Sequence, residues 1–310
     1  MKTTAITRDD LVRSVVAVPP LCRNDDAPFS LNPDENRRLI RHLEDGGIST
    51  MLYGGNANLY NIAVSEYDEL LGMLTDLASE DTWIIPSVGP FYGNIVDQAA
   101  ILKQHAFPTA MILPTLFPAT DLGVQMAVRR FVEISEIPAV LYIKDENYIT
   151  PDAAARLVND GIISWIKYAI VQKDPYEDPY LEKLIDLVDP KMIISGIGEQ
   201  PTVAHLKKFG VAGFTSGCVC VAPSRSMQVL QALKDDDLDT ANRLRGRFEP
   251  LENLRNTHGP IPVLHHAIQL AGIAETGPHL PLLSTLPDHS LSAIKVMAEE
   301  LLQFEQVDRK

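Results

Sequence analysis

Pro138-Ala139-Val140-Leu141-Tyr142-Ile143-Lys144 is an almost unbroken apolar run, and Gly161-Ile162-Ile163-Ser164-Trp165-Ile166-Lys167-Tyr168 is another. Between them Thr150-Pro151-Asp152 opens a helix, a capping threonine ahead of a proline whose fixed φ suits the first turn. Gly161 stops that helix just before the second run. Runs that are apolar at successive positions, rather than at alternate ones, predict parallel strands covered on both faces. Strand, crossover helix and strand form one βαβ unit.

The same unit recurs in both directions. Ser14–Val18, Ser49–Tyr53, Trp83–Ser87, Ala110–Leu113, Ala139–Ile143, Ile162–Tyr168, Met192–Ser195 and Gly213–Ser216 read as eight strands. Helix signals separate them: Asn32-Pro33-Asp34-Glu35 starts a helix that Gly46-Gly47 ends, and Ser65-Glu66-Tyr67-Asp68 starts the next. An open doubly wound sheet alternates in the same way. Eight units without a break, and no G-x-G-x-x-G turn after the first strand, predict closure into an α/β (β/α)₈ TIM barrel. Beyond Pro223 the chain reads helical at Arg225–Asp236, Asp239–Asn256, Ile261–Ala271 and Ser290–Gln303, with a proline-rich crossing at Gly277–Pro287. The expected organisation is a barrel core over residues 1–224. Residues 225–310 follow as the last barrel helix and a C-terminal helical extension, not an independent domain.

Composition narrows the partners. With 45% hydrophobic residues in 310, the chain can bury a large core, and its 27 basic against 41 acidic side chains leave a net charge of -14. That argues against nucleic acid and against an anionic membrane surface. It leaves an anionic small molecule open, because a site needs only a local cation or a few aimed N–H groups. The first ten residues hold no apolar signal segment, and no run approaches the ~20 apolar residues of a membrane span. Cys22, Cys218 and Cys220 form no disulfide framework and read as buried, reduced thiols rather than metal ligands. A soluble, cytoplasmic protein is the expectation. No zinc, P-loop, nucleophile-elbow or dinucleotide motif occurs, so no metal and no cofactor are expected, and His105, His205, His265 and His266 read as surface or packing residues.

In a closed parallel barrel, chemistry collects at the C-terminal ends of the strands. That rule selects Gly54-Gly55-Asn56, Tyr142 with Lys144, Lys167 with Tyr168, Gly196-Ile197-Gly198-Glu199, and Ser216-Gly217. Lys167 ends a strand among apolar neighbours. If it points into the barrel it loses hydration, its pKa falls, and the neutral amine can attack a carbonyl. If it leaves the barrel mouth it is an ordinary solvated lysine, and position alone does not choose. Tyr142, on the neighbouring strand end, is either a proton shuttle for that lysine or a core tyrosine. Gly54-Gly55-Asn56 can turn several backbone N–H groups towards a carboxylate, or can simply be a turn.

Taken together these residues resemble the dihydrodipicolinate synthase and N-acetylneuraminate lyase family of Schiff-base aldolases, as a divergent member, from about Ser14 to Leu283. Gly54 to Asp68 is similar to the family's G-[ST]-T-G-E…L-S-x-x-E segment, and Tyr142 falls on the family tyrosine. Trp165-Ile166-Lys167 resembles the G-[IF]-K motif and Ser195-Gly196 the S-G-[DN]-[DE] turn. Gly213-Phe214-Thr215-Ser216 resembles G-V-I-S, while Pro260-Ile261-Pro262-Val263 and Leu280-Pro281-Leu282 resemble N-P-[IV]-P-V-K and L-P-L. The resemblance implies that Lys167 forms a Schiff base with a small 2-oxo acid and that Tyr142 moves protons. It implies that Gly54, Gly55, Asn56, Lys144, Gly196 and Thr215 bind the substrate. It also implies a homotetramer or homodimer.

The departures bear on which reaction. Gly54-Gly55-Asn56-Ala57-Asn58 stands where the family has G-T-T-G-E, so two hydroxyls are absent. Pro114-Thr115-Leu116-Phe117 replaces P-x-Y-Y, and with it the tyrosine that crosses a dimer interface. Tyr142–Leu157 is more similar to the Y-N-R-x-N-A…D-x-L-A-R-L stretch of 5-dehydro-4-deoxyglucarate dehydratases, with Lys144 in place of arginine. A lysine there would meet a distal carboxylate as a point charge rather than a fork. The expectation is therefore a lyase acting on a 2-oxo acid by aldol cleavage, condensation or dehydration of a deoxy sugar acid. Dihydrodipicolinate synthesis and a non-catalytic 2-oxo-acid-binding barrel are the alternatives.

Overall fold

The computed structural model describes residues 1–307. Nine short parallel strands, β1 (Val16–Ala17), β2 (Thr50–Leu52), β3 (Trp83–Ile85), β4 (Ser87–Val88), β5 (Ala110–Ile112), β6 (Ala139–Ile143), β7 (Ile163–Tyr168), β8 (Ile193–Ser195) and β9 (Gly213–Ser216), lie in the order β3-β2-β1-β9-β8-β7-β6-β5-β4. The two ends of that order are the two halves of one predicted strand. Pro86, which has no N–H to donate, separates β3 from β4. Its carbonyl accepts from the Met111 N–H at 2.9 Å, while the Ile85 carbonyl accepts from the Tyr53 N–H at 2.9 Å, so the sheet closes through Pro86. The fold is the expected eight-unit barrel with its third strand interrupted.

The unit that announced the fold shows why it closes. Thr150 caps the helix Pro151–Asn159, its hydroxyl accepting from the Ala153 N–H. That helix buries Ala153, Ala154 and Leu157 against the barrel, and side chains this small let a helix lie close to its strands. β6 and β7 then pair in parallel with Tyr142 opposite Lys167 and Ile143 opposite Tyr168. Opposed residues of parallel strands share a face, so Tyr142 and Lys167 point into the barrel mouth together. Tyr168, one residue further on, faces the outer helices. Its hydroxyl donates to Asp178 Oδ2 at 2.6 Å and its ring stacks on Tyr180. Of the two residues singled out at the end of this strand, only Lys167 is placed for chemistry at the mouth.

The C-terminal region is helical at Pro223–Lys234, Leu238–Arg245, Glu249–His258, Pro260–Leu270 and Asp288–Gln306. One expected helix, Asp239–Asn256, is two. Gly246 caps the first piece, and Pro250 sits in the first turn of the second, where its missing N–H costs nothing. His105 lies in the turn after helix Tyr92–Leu102 and bonds Asp68 Oδ1 at 2.8 Å. Cys22, Cys218 and Cys220 are free and buried. Among the described residues no helix is long and apolar enough to cross a membrane.

Candidate active site

The strand ends enclose a cavity of about 430 Å³ at the barrel mouth. Gly54, Gly55, Asn56, Tyr142, Lys144, Lys167, Gly196 and Thr215, the eight residues picked from sequence, all line it. A larger outer groove of about 1060 Å³, between helices Tyr92–Leu102 and Asp121–Ser135, contains none of them.

Lys167 is buried, at 6% exposure, with its Nζ 4.4 Å from the centroid of the Tyr142 ring. It therefore lies over the ring face, and no hydrogen bond joins the two side chains among the described residues. Burial is the main force on its ionisation, followed by the positive charges of Lys144 and Arg255, and together they bring its pKa down to about 7. At neutral pH a large share of the amine is thus unprotonated. Burial pushes the Tyr142 phenol up to about 12, with Arg255 pulling slightly the other way, so it stays protonated and able to donate.

Gly196 makes room for the lysine. A Cβ there would sit 2.8 Å from Ala169 Cβ and 3.0 Å from Lys167 Cγ, so any side chain would displace the lysine stem. Across the mouth, four strand positions away, the loop after β2 carries Gly55 and Asn56. Their backbone N–H groups donate to no described residue, while the Gly54 and Gly55 carbonyls accept from Leu59 and Asn58. Asn56 is held by its side chain, which donates to the Val18 carbonyl at 3.0 Å. Two unspent donors at a glycine turn are the kind of group that can accept a carboxylate.

The model of the Dihydrodipicolinate synthetase family matches residues 26–300. The chain belongs to this family. Its curated relatives include the 4-hydroxy-tetrahydrodipicolinate synthase of Methanothrix thermoacetophila, 25% identical over 263 residues that cover 82% of this chain and 85% of the relative. The enzyme of the same name from Stutzerimonas stutzeri is 24% identical over 267 residues, covering 83% and 88%. Among solved structures, the dihydrodipicolinate synthase of Bacillus clausii superposes with a TM-score of 0.82 at 21% identity, over 97% of this chain and 99% of that one. At that identity the likeness is one of fold.

Within the dihydrodipicolinate synthetase family frame, the structure adds cavity residues that the sequence did not reveal. Arg255 and Asn256 come from helix Glu249–His258, and Pro260 and Leu264 from the next helix. Two glycines permit this approach. A Cβ at Gly217 would stand 2.2 Å from Leu264 Cδ1 and 2.9 Å from Asn56 Nδ2. At Gly198, with φ of +105°, a Cβ would fall 2.0 Å from Glu252 Oε1 and 2.7 Å from Arg255 Nη1. Gly198 stands out in sequence only as part of Gly196-Ile197-Gly198-Glu199; what it makes room for lies more than fifty residues away.

Proposed function

We propose that this chain is a lyase in which Lys167 forms a Schiff base with a 2-oxo acid, acting by aldol cleavage or dehydration of a deoxy sugar acid. The observation that carries this reading is Lys167 itself, a buried amine titrating near neutrality beside Tyr142 at the barrel mouth. In this reading the N–H groups of Gly55 and Asn56 hold the C1 carboxylate. The Lys167 Nζ lone pair adds to C2 as the C=O π pair moves onto oxygen, an amine proton passes to that oxygen, and Tyr142 donates a second proton to the departing hydroxyl as water leaves and the C=N bond forms. The protonated imine then accepts an electron pair from C3. For dehydration, the Tyr142 phenolate takes the C3 proton, and the resulting enamine expels the C4 hydroxyl, which leaves as water with that proton. For aldol cleavage, the C3–C4 bond breaks while the C4 hydroxyl gives its proton to the Tyr142 phenolate, an aldehyde departs, and the enamine left behind takes that proton back at C3. Hydrolysis of the imine returns the amine.

Incubation with pyruvate followed by borohydride should leave one reduced pyruvyl group on the intact protein, mapped to the Lys167 peptide. The trapping rate should rise with pH through about 7, where the amine loses its proton. Trapping at another lysine, or none with pyruvate or any longer 2-oxo acid, refutes the reading.

The similarity to 4-hydroxy-tetrahydrodipicolinate synthases supports a second reading, condensation of pyruvate with aspartate semialdehyde. The wall Gly54-Gly55-Asn56-Ala57 offers no hydroxyl for the proton relay of that reaction. The expected coupled-assay result is therefore turnover at background level in a protein that still traps pyruvate. Trapping without turnover of any 2-oxo sugar acid would instead favour a binding barrel.

A further inference from the structure

One of the cations that line the cavity with Lys167 comes from outside the barrel strands. Arg255 projects from helix Glu249–His258 with its side chain only 9% exposed, yet it lines the Lys167 cavity. Its bonds are weak ones. Nη1 approaches Glu252 Oε1 at 3.5 Å, and Nε and Nη2 reach the Asn256 Oδ1 next to it at 3.3 and 3.2 Å. A guanidinium carries five N–H donors, so two remain without a partner among the described residues.

Behind it lies a buried carboxyl pair. Glu252 Oε1 accepts the Glu199 N–H at 2.9 Å, and the Glu199 carboxylate accepts the hydroxyls of Ser216 at 2.8 Å and Ser226 at 2.7 Å. Both acids are fully buried, and burial raises both pKa values. Two carboxylates so close cannot both ionise cheaply, so the pair keeps at least one proton at neutral pH and gives Arg255 no more than one compensating charge. Glu252 thereby anchors the guanidinium from the rear without saturating it. On the β6 side of the cavity, Lys144 is exposed and makes no hydrogen bond or ion pair with a described residue.

We propose that Arg255, together with Lys144, is the receptor for a second anionic group on the substrate, so that the cavity takes 2-oxo acids carrying a carboxylate at the far end. This rests on the Schiff-base reading above, which places the 2-oxo group at Lys167 and the near carboxylate at Gly55 and Asn56. A 2-oxo dicarboxylate then spans three cationic or N–H stations. A monocarboxylate leaves the Arg255 station facing water.

The test compares two acids of equal carbon number, 2-oxoglutarate and 2-oxopentanoate, in borohydride trapping. The half-saturating concentration should be at least about tenfold lower for 2-oxoglutarate, the usual scale of one charge-assisted contact. In Arg255→Met that ratio should fall to near one, and in Lys144→Met part-way. Both acids react with the same lysine, so any change in Lys167 basicity cancels in the ratio. Because Arg255→Met leaves Glu252 without its cation, the double variant Glu252→Gln/Arg255→Met provides a fold-neutral check and should show the same collapse. A wild-type ratio near or below one, or a tenfold ratio that survives in both variants, overturns the proposal alone. Failure to trap any 2-oxo acid, pyruvate included, overturns the Schiff-base reading and this proposal with it.

Discussion

Lys167→Met is expected to abolish turnover, by about 10⁴-fold or more, and at the same time to make the protein more stable. The first effect follows from removing the buried amine proposed as the nucleophile, since a group that acts as a covalent catalyst is lost all at once rather than by degrees. The second comes from ionisation. A lysine titrates near 10.4 in the unfolded chain and near 7 here. Between those values the unfolded state binds the proton and the folded state does not, so stability falls as pH drops from about 10 to 7. Below 7 both states are protonated and the penalty is complete. At about 1.4 kcal/mol per pH unit the full shift sets an upper figure of ~4–5 kcal/mol. Methionine keeps the stem volume without the charge, so a gain of about 2–4 kcal/mol at pH 7 is the expected result. The gain should shrink towards zero near pH 10. Urea unfolding of both proteins at pH 7 and pH 10 reads it directly. A variant that is less stable at pH 7, or a gain that does not change with pH, contradicts the desolvated-amine picture. The same measurement shows what the site costs the fold, a buried amine kept at the expense of stability.

How far the sequence reaches into this site depends on which physical signal each residue leaves. β6 and β7 could be read because strands buried on both faces need apolar residues at every position, and Tyr142 and Lys167 interrupt that pattern at neighbouring strand ends. Closure of the barrel brings all strand ends to one rim, so Gly54, Gly196 and Thr215 reach the same cavity as Lys167 although they are far apart in sequence. The direction in which Lys167 points was not legible from position; it depends on the register that sets it opposite Tyr142. Arg255 left no comparable mark. On helix Glu249–His258 it sits in a polar pattern that a solvated helix would also show, and its burial depends on how that helix docks on the loop after β8. Gly198 is the nearest thing to a signal, because a residue at φ of +105° under a 2.0 Å contact must be glycine, but the partner it accommodates cannot be read from sequence. Pro86 did appear within a predicted strand, and the break it causes follows from its missing N–H.

Acid should weaken the protein well before its surface carboxylates titrate. His265 and His279 pack with their rings tilted and the centroids 4.2 Å apart, and both are almost fully buried. Burial, with His279 adding to it, brings the His265 pKa down to about 3. Burial brings His279 to about 4, and likewise His205, which bonds Ser195 Oγ at 2.8 Å. These rings pack as neutral groups, whereas the unfolded chain protonates them near 6.5. The stability they contribute is therefore complete above about 6.5 and is lost as pH falls towards 4, at about 1.4 kcal/mol per unit for each ring. The Glu199–Glu252 pair works in the opposite direction. Its raised carboxyls hold protons in the folded state that the unfolded state releases above about 4.4, so falling pH favours folding through them. Three imidazoles against at most two carboxyls leave a net loss of at least about 1.4 kcal/mol per pH unit. Between pH 6.5 and 4.5 the protein should lose about 3 kcal/mol, a large part of the 5–15 kcal/mol that holds a typical domain together. Urea midpoints measured across that range check the balance. A flat or rising curve would mean that the carboxyl pair outweighs the histidines. In His279→Phe, which keeps an aromatic ring in the pair but cannot take up a proton, the acid-side slope should fall by about 1.4 kcal/mol per pH unit.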